Sequence, residues 1–402
     1  MRTSLRTLTP WIAFGVLGSA LLAWLGMASY WWSDYDTEAA PAFAVLVRGD
    51  VLSFLQHCPA YGGSLMMRAP FALAASALGG GDLAVFRAVG APCLLAGAAF
   101  GVALAAHLLA RGAGRGTVTV VVGVCAVNPI TLRALEIGHP EELLGAALCG
   151  GAMLAAVRGR SNLAAILLGL AVANKAWAVL AVGPVLLALQ GDRRRVLVIA
   201  GGIALAFMLP LLLADASGPP AAATHTGVIF QPWQVWWFLG DTGHVIRGSS
   251  GLVKEGYRAA PGWISPLSHP LIVLVAIPLS LLAWRRRSDP LLLLALLFVL
   301  RCILDPWNTA YYVLPAILAL VTWEAIRFGD RPPVLALAVS VATWAMWQWV
   351  VPAASADVES IVYLAWTLPL VGFLGWRLYA PALPAMPTLS SGGRASVWST
   401  TQ

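Results

Sequence analysis

The sequence predicts an all-α polytopic membrane protein. Of its 402 residues, 59% are apolar and only 11% are charged, and the mean hydropathy is +0.80. That composition leaves too little polar side-chain surface for a soluble chain. Apolar stretches recur between short polar breaks, each near the ~20 residues a helix needs to cross a ~30 Å hydrocarbon core. They are continuous rather than alternating, which excludes a transmembrane barrel.

The first stretch, residues 11–32, follows Arg2 and Arg6. It is longer than a signal-peptide core and ends in aromatic residues rather than a small-residue cleavage site. It is therefore expected to be an uncleaved helix with a cytoplasmic N-terminus. Basic clusters then mark cytoplasmic loops: Arg111 and Arg115, Arg158 and Arg160, Arg193 to Arg195, Arg285 to Arg287, Arg327 and Arg331, with Arg377 and Arg394 near the end. Of the 18 acidic residues, only Asp192, Asp289, Glu324 and Asp330 fall on that side. The net charge of +7 thus reflects topology and not nucleic-acid binding.

Outward crossings are expected to begin near Trp11, Thr117, Val196, Pro290 and Val334, and inward ones near Leu83, Leu143, Leu271, Ala310 and Ile361. Residues 161–190 have basic loops at both ends, yet are too short for two full crossings. Two short helices, 162–173 and 177–189, are expected to turn at Asn174 and Lys175 inside the membrane, against protein or a water-filled cavity. With this broken pair the count is about twelve segments, both termini cytoplasmic. Residues 1–380 form a single transmembrane domain with long outer loops at 33–82 and 215–269. The first loop carries two amphipathic stretches suited to the membrane surface. Residues 381–402 read as a disordered cytoplasmic tail. Four of the five cysteines lie in apolar segments, so no disulfide framework is expected.

Ionisable residues inside a membrane cost about 2.5–3.5 kcal/mol each at its centre, so each needs a partner or a function. The candidates gather toward the outer face: Asp34, Asp36 and Glu38 after the first segment; Glu136, His139, Glu141 and Glu142 in the second outer loop; Lys175 at the broken pair; Arg301 and Asp305. Plainer readings exist for most of them. The first three can be a solvated loop start, Glu141 and Glu142 can serve a helix N-terminus, and Arg301 and Asp305, four apart, can pair with each other. Lys175 has no such sequence partner. Trp233, Trp236, Trp237, Trp263, Trp307, Trp347 and Trp349 suit an interfacial belt, and one or two can stack on a sugar. There is no Walker loop, nucleophile elbow, HExxH helix or cysteine pair; Gly112 to Gly116 is a connector rather than a phosphate cradle. The outer acids can bind Mg²⁺ or Mn²⁺, although no ligand spacing demands it.

Several short motifs resemble the GT-C superfamily of membrane glycosyltransferases that use polyprenyl-phosphate sugars, particularly its actinobacterial mannosyltransferase branch. They are the acidic residue after the first helix, Gly138-His139-Pro140-Glu141-Glu142, the run from Leu168 to Lys175, and Asp305-Pro306-Trp307-Asn308 with Tyr311-Tyr312. The resemblance implies that a first-loop carboxylate is the general base. Asp36 fits best, because the pattern through Leu46 and Gly49 resembles the family's loop helix; Asp34 and Glu38 compete for the role. The segment from Pro59 to Pro70 departs from the family pattern and suggests a different acceptor.

The chemistry suits these residues independently of the family. A sugar phosphate already carries a leaving group, so transfer needs one base and cations for the departing phosphate. Lys175 and Arg301 are expected to hold that phosphate, with His139, Glu141, Glu142, Asp305, Trp307 and Tyr311 near the substrate. Direct displacement with one base predicts inversion. The resemblance implies a polyprenyl-phosphate donor, with mannose the family default and arabinose or another pentose possible, and a glycolipid, polysaccharide or protein acceptor; the bilayer is the remaining expected partner. The expected location is the cell membrane, with the site on the extracytoplasmic side. A transporter or lipid flippase is the alternative, since it too needs broken helices and intramembrane charge.

Overall fold

A computed structural model describes residues 5–28, 34–214, 229–242 and 257–380. The tail at 381–402, much of the 215–269 loop and the aromatic end of the first segment lie outside the described residues. Helices dominate. Among the described residues, seven are long and apolar enough to cross a membrane: Leu5–Gly26, Asp82–Ala110, Arg115–Ile137, Arg193–Ala214, Ser268–Arg286, Ala310–Arg327 and Ala356–Tyr379. Shorter apolar helices are Ser161–Asn174, Ala176–Ala188, Pro290–Leu304 and Val334–Val350. Each crossing expected from the sequence coincides with a helix. Lengths and composition support a membrane protein.

Burial separates central from peripheral helices. In Ala310–Arg327, 89% of the apolar window is buried, against 17% in Arg193–Ala214 and 22% in Leu5–Gly26. The peripheral helices turn leucines such as Leu17, Leu205, Leu213 and Leu274 outward. That arrangement suits lipid and is costly in water. The buried apolar side chains are shared by Asp82–Ala110, Glu141–Val157, Pro290–Leu304 and Leu314–Arg327 in one continuous core.

Two local features add to the sequence expectation. The first helix ends at Gly26, and Arg87 caps its end, donating from Nε to the Met27 carbonyl at 2.7 Å and from Nη2 to that of Ala28 at 2.7 Å. The described part of the expected first outer loop, residues 34–82, is mostly helical, with Ala40–Leu46, Val51–His57 and Gly62–Ala77. The last of these packs into the bundle against Asp82–Ala110, Ser161–Asn174 and Arg193–Ala214. Gly63 permits that packing, because a Cβ there would lie 2.1 Å from the Ala173 carbonyl oxygen.

The broken pair forms as expected. Ser161–Asn174 ends at Lys175, whose backbone is extended, and the chain resumes as a 3₁₀ turn, Ala176–Ala181, leading into Val182–Ala188. At the same end of the bundle, Ile229–Phe230 pairs antiparallel with Arg258–Ala259 in a small two-stranded sheet. Trp237 and Arg258 tie this sheet to Asp357 at 2.8 and 2.6 Å, and Trp233 donates to Glu359 at 3.3 Å. Trp233 and Trp237 are buried structural anchors, whereas Trp263 and Trp349 are exposed. All five cysteines are free thiols.

Candidate active site

The charged residues singled out in the sequence meet where Leu5–Gly26 ends, Glu141–Val157 begins, and Ser161–Asn174 and Pro290–Leu304 end. Each reaches that place for a local reason. Asp34 precedes a single π-helical turn, Tyr35–Ala39, whose apolar face is fixed by Tyr35 packing on Phe86 at 4.6 Å between ring centroids. Residues four apart share a face, so Asp34 and Glu38 point together, while Asp36, two from each, cannot share it. All three carboxylates are half-buried.

His139 is delivered by a tight connector. Pro129–Ile137 ends at Gly138 in the left-handed region, φ 99°, and a Cβ there would come within 2.6 Å of the Tyr35 backbone nitrogen. Glycine is required twice, for the backbone angle and for the approach of the two segments. Pro140 then starts the helix whose first turn carries Glu141 and Glu142, both fully buried. The break at Lys175 frees its side chain from the helix, and Asn174 donates to the Glu141 carbonyl at 2.9 Å, locking the break to the neighbouring helix. Arg301 lies in the last turn of Pro290–Leu304 and Asp305 caps it.

Glu142 is the centre of the deep layer. It accepts from Lys175 at 3.0 Å, from the Trp177 indole at 3.2 Å and from both Arg301 Nη atoms at 3.3 and 3.4 Å. Arg301 is further held between the faces of Trp177 and Tyr312. Glu141 lies 3.1 Å from Lys175, 2.6 Å from His139 Nδ1 and 3.4 Å from Arg68 Nη2. The outer layer begins at His139, whose Nε2 is 3.2 Å from Asp34 Oδ2. Burial opposes charge on this ring, but the Glu141 and Asp34 carboxylates outweigh it and raise its pKa to about 10. Tyr311 stacks on the ring at 4.9 Å, and Tyr61 meets it edge-on at 5.6 Å while donating to Glu38 at 2.7 Å.

Most of the predicted residues therefore come together: Asp34, Glu38, His139, Glu141, Glu142, Lys175, Arg301, Asp305 and Tyr311. Asp305 lies 3.8 Å from Arg301 and 3.5 Å from His269, so the pair four apart exists, but Arg301 binds Glu142 more closely. Glu141 and Glu142 do occupy a helix N-terminus, yet their partners show that dipole stabilisation is the lesser part of their role. Trp307 contributes its backbone N–H to Asp305 at 3.0 Å. Glu136 stands apart, paired with Arg133, whose guanidinium covers Trp347. Asp36 lies outside the group formed by Asp34, Glu38 and His139.

Sequence reasoning missed Arg68 and Tyr61. Arg68 is almost completely buried in Gly62–Ala77, with Nε donating to the Ser64 carbonyl at 3.3 Å. A single arginine inside an otherwise apolar run was the available signal. Tyr61, at the head of that helix, also places its ring 4.6 Å from the Lys175 ammonium. Lys175 and Arg301 are thus engaged by carboxylates, so an anionic group entering the site would have to join these pairs or displace them. No family model matches the chain, and no curated protein matches it.

Proposed function

We propose that the chain is an integral membrane glycosyltransferase that moves a sugar, mannose in the first instance, from a polyprenyl-phosphate donor to a cell-envelope acceptor. The supporting observation is the layering of charge at one end of the bundle. Asp34 and Glu38, half-buried on the one-turn helix after the first segment, adjoin a deep cluster in which Lys175 and Arg301 converge on Glu142. Direct displacement at an anomeric carbon requires this polarity: a base on the acceptor side and cations on the departing phosphate.

In this reading Asp34 takes the acceptor proton, since its face of the one-turn helix looks into the cluster; Asp36 is the second candidate. Lys175 and Arg301 stabilise the phosphate, with Glu142 holding both cations in place when it is absent. The anomeric configuration inverts. Twelve segments, cytoplasmic termini and an extracytoplasmic site complete the proposal, the last resting on the distribution of basic loops.

Membranes carrying wild type, Asp34→Asn, Asp36→Asn or Lys175→Ala, supplied with polyprenyl-phosphate mannose and an envelope acceptor extract, test it. Transfer by wild type that is lost in Asp34→Asn with donor binding retained is the expected result. Loss in Asp36→Asn instead reassigns the base. A correctly folded wild type that neither binds nor consumes the donor overturns the transferase, and substrate-dependent uptake into liposomes would then establish the transporter reading.

A further inference from the structure

We propose that Asp34, Glu38 and His139 form a divalent-cation site at the outer edge of the cluster, of the type that holds Mn²⁺. Among the described residues, these three bring one ligand atom each within 4.8 Å of one another. Two come from a single helical turn and one from the Gly138 connector, which is held against that turn. The spacing is wider than a bound ion would leave it. The side chains on the one-turn helix would close by rotamer adjustment, while the imidazole stays where its neighbours hold it.

The stronger observation is how the ring is held. His139 Nδ1 lies 2.6 Å from Oε1 of Glu141, a fully buried carboxylate on another element that is not part of the ligand set. A metal-ligating histidine has this arrangement: the far nitrogen donates to a carboxylate, which fixes the tautomer, makes the ring more basic and leaves the near nitrogen as the ligand. The near nitrogen, Nε2, faces Asp34 Oδ2 at 3.2 Å. That separation admits either a second ring proton or a metal ion between the two atoms. A second ring proton can fill the gap to Asp34, but it draws nothing from Glu38. A metal ion in its place uses all three groups at once. The ring is also immobilised by Tyr311 on its face and Tyr61 at its edge.

Two carboxylate oxygens and one imidazole nitrogen are a hard-to-borderline donor set, suited to Mn²⁺ more than to soft ions. Three protein ligands leave coordination positions open for water or substrate oxygen. On the transferase reading, the ion would add positive charge beside the reacting groups. That role rests on the transferase reading; the ion site itself does not.

The test uses full-length protein in nanodiscs titrated with Mn²⁺, free ion being followed by electron paramagnetic resonance. Wild type should take up about one ion per chain. Affinity should fall at least about tenfold in Glu38→Gln and Asp34→Asn, and also in Glu141→Gln, whose contact with the ring is at Nδ1, away from the ion. Asp36→Asn should bind as wild type does, which separates a built site from general acidity. Glu38→Gln keeps an acceptor for Tyr61 and is the variant least exposed to misfolding; unfolding midpoints check the others. Absence of saturable uptake by wild type, or equal uptake by Glu38→Gln, overturns the site. Mn²⁺ binding without sugar transfer upholds the site and overturns the transferase, while EDTA-resistant transfer without binding does the reverse.

Discussion

Glu142→Gln offers the most direct test of the buried charge cluster. Glu142 is fully buried and receives Lys175, Arg301 and the Trp177 indole. Glutamine has nearly the same shape and can still accept from Trp177, so the substitution removes charge with little change in packing. It strands two buried cations: Lys175 keeps Glu141, while Arg301 keeps the Tyr312 carbonyl at 3.3 Å but, among carboxylates, only the longer 3.8 Å contact with Asp305. Breaking a buried ion pair from one side costs about 3–5 kcal/mol, and we expect Glu142→Gln to lie in that range. The double variant Glu142→Gln/Lys175→Met removes one cation with the anion and should be more stable than the sum of its singles predicts, by about 1–3 kcal/mol. Reversible unfolding in mixed micelles measures both quantities. A single-variant cost below about 1 kcal/mol, or additivity within about 0.5 kcal/mol, would refute the view that these charges are mutually compensating.

Gly138→Ala should destabilise by about 1–3 kcal/mol, from a positive φ together with the Tyr35 backbone at 2.6 Å. Gly112→Ala, also at positive φ but with nothing within 4 Å, should cost only about 1 kcal/mol; equal costs in denaturant unfolding would remove the case for close approach at Gly138. Arg68→Met leaves Glu141 with one cation fewer and should cost about 3 kcal/mol, with Arg68→Lys recovering part of it in the same assay. Asp50 caps Val51–His57, and its bonds from the Ser53 hydroxyl and backbone N–H hold its carboxyl below the ordinary 3.8. A lowered folded-state pKa stabilises above the unfolded value and fades as pH falls through the folded one. Amide protection at Ser53 should therefore be flat above about pH 5 and drop in acid, and Asp50→Ala should abolish that dependence.

Much of the bundle was legible because lipid imposes one rule: long apolar runs become helices, and their ends carry the polar residues. The break at Asn174 and Lys175 could be read from length alone, since basic residues at both ends allowed no other path. The packing of Gly62–Ala77 could not be read the same way. Its position depends on Gly63 meeting a carbonyl from a helix more than a hundred residues away, and one-dimensional patterns do not carry such a contact. The competition among Asp34, Asp36 and Glu38 was equally closed to sequence, because it turns on which face of one helical turn Tyr35 buries. Arg68 was visible as a lone charge in an apolar run, but its partner Glu141 was not.

The two layers of charge ask for different explanations. In the deep layer Arg68, Lys175 and Arg301 surround Glu141 and Glu142, every member except Lys175 being almost wholly excluded from solvent. Stability alone does not favour such a cluster, because well-packed apolar side chains of similar volume are commonly as stable or more so. Its distinguishing property is fixed geometry: Glu141 ties two separate segments, bearing Arg68 and Lys175, and the adjoining connector at His139 to the first turn of one helix. The outer layer is where that rigidity has an effect, since Glu141 orients the imidazole that faces Asp34. A site placed on one turn and one connector would otherwise drift by more than the ~0.5 Å that productive geometry tolerates. On this view, substitutions in the deep layer that preserve folding should alter the outer layer's ligand affinity or pH response before they alter the bundle. Glu141→Gln keeps shape and loses charge, but it strands Arg68 and takes one carboxylate from Lys175, so its unfolding midpoint is to be measured beside its ligand affinity.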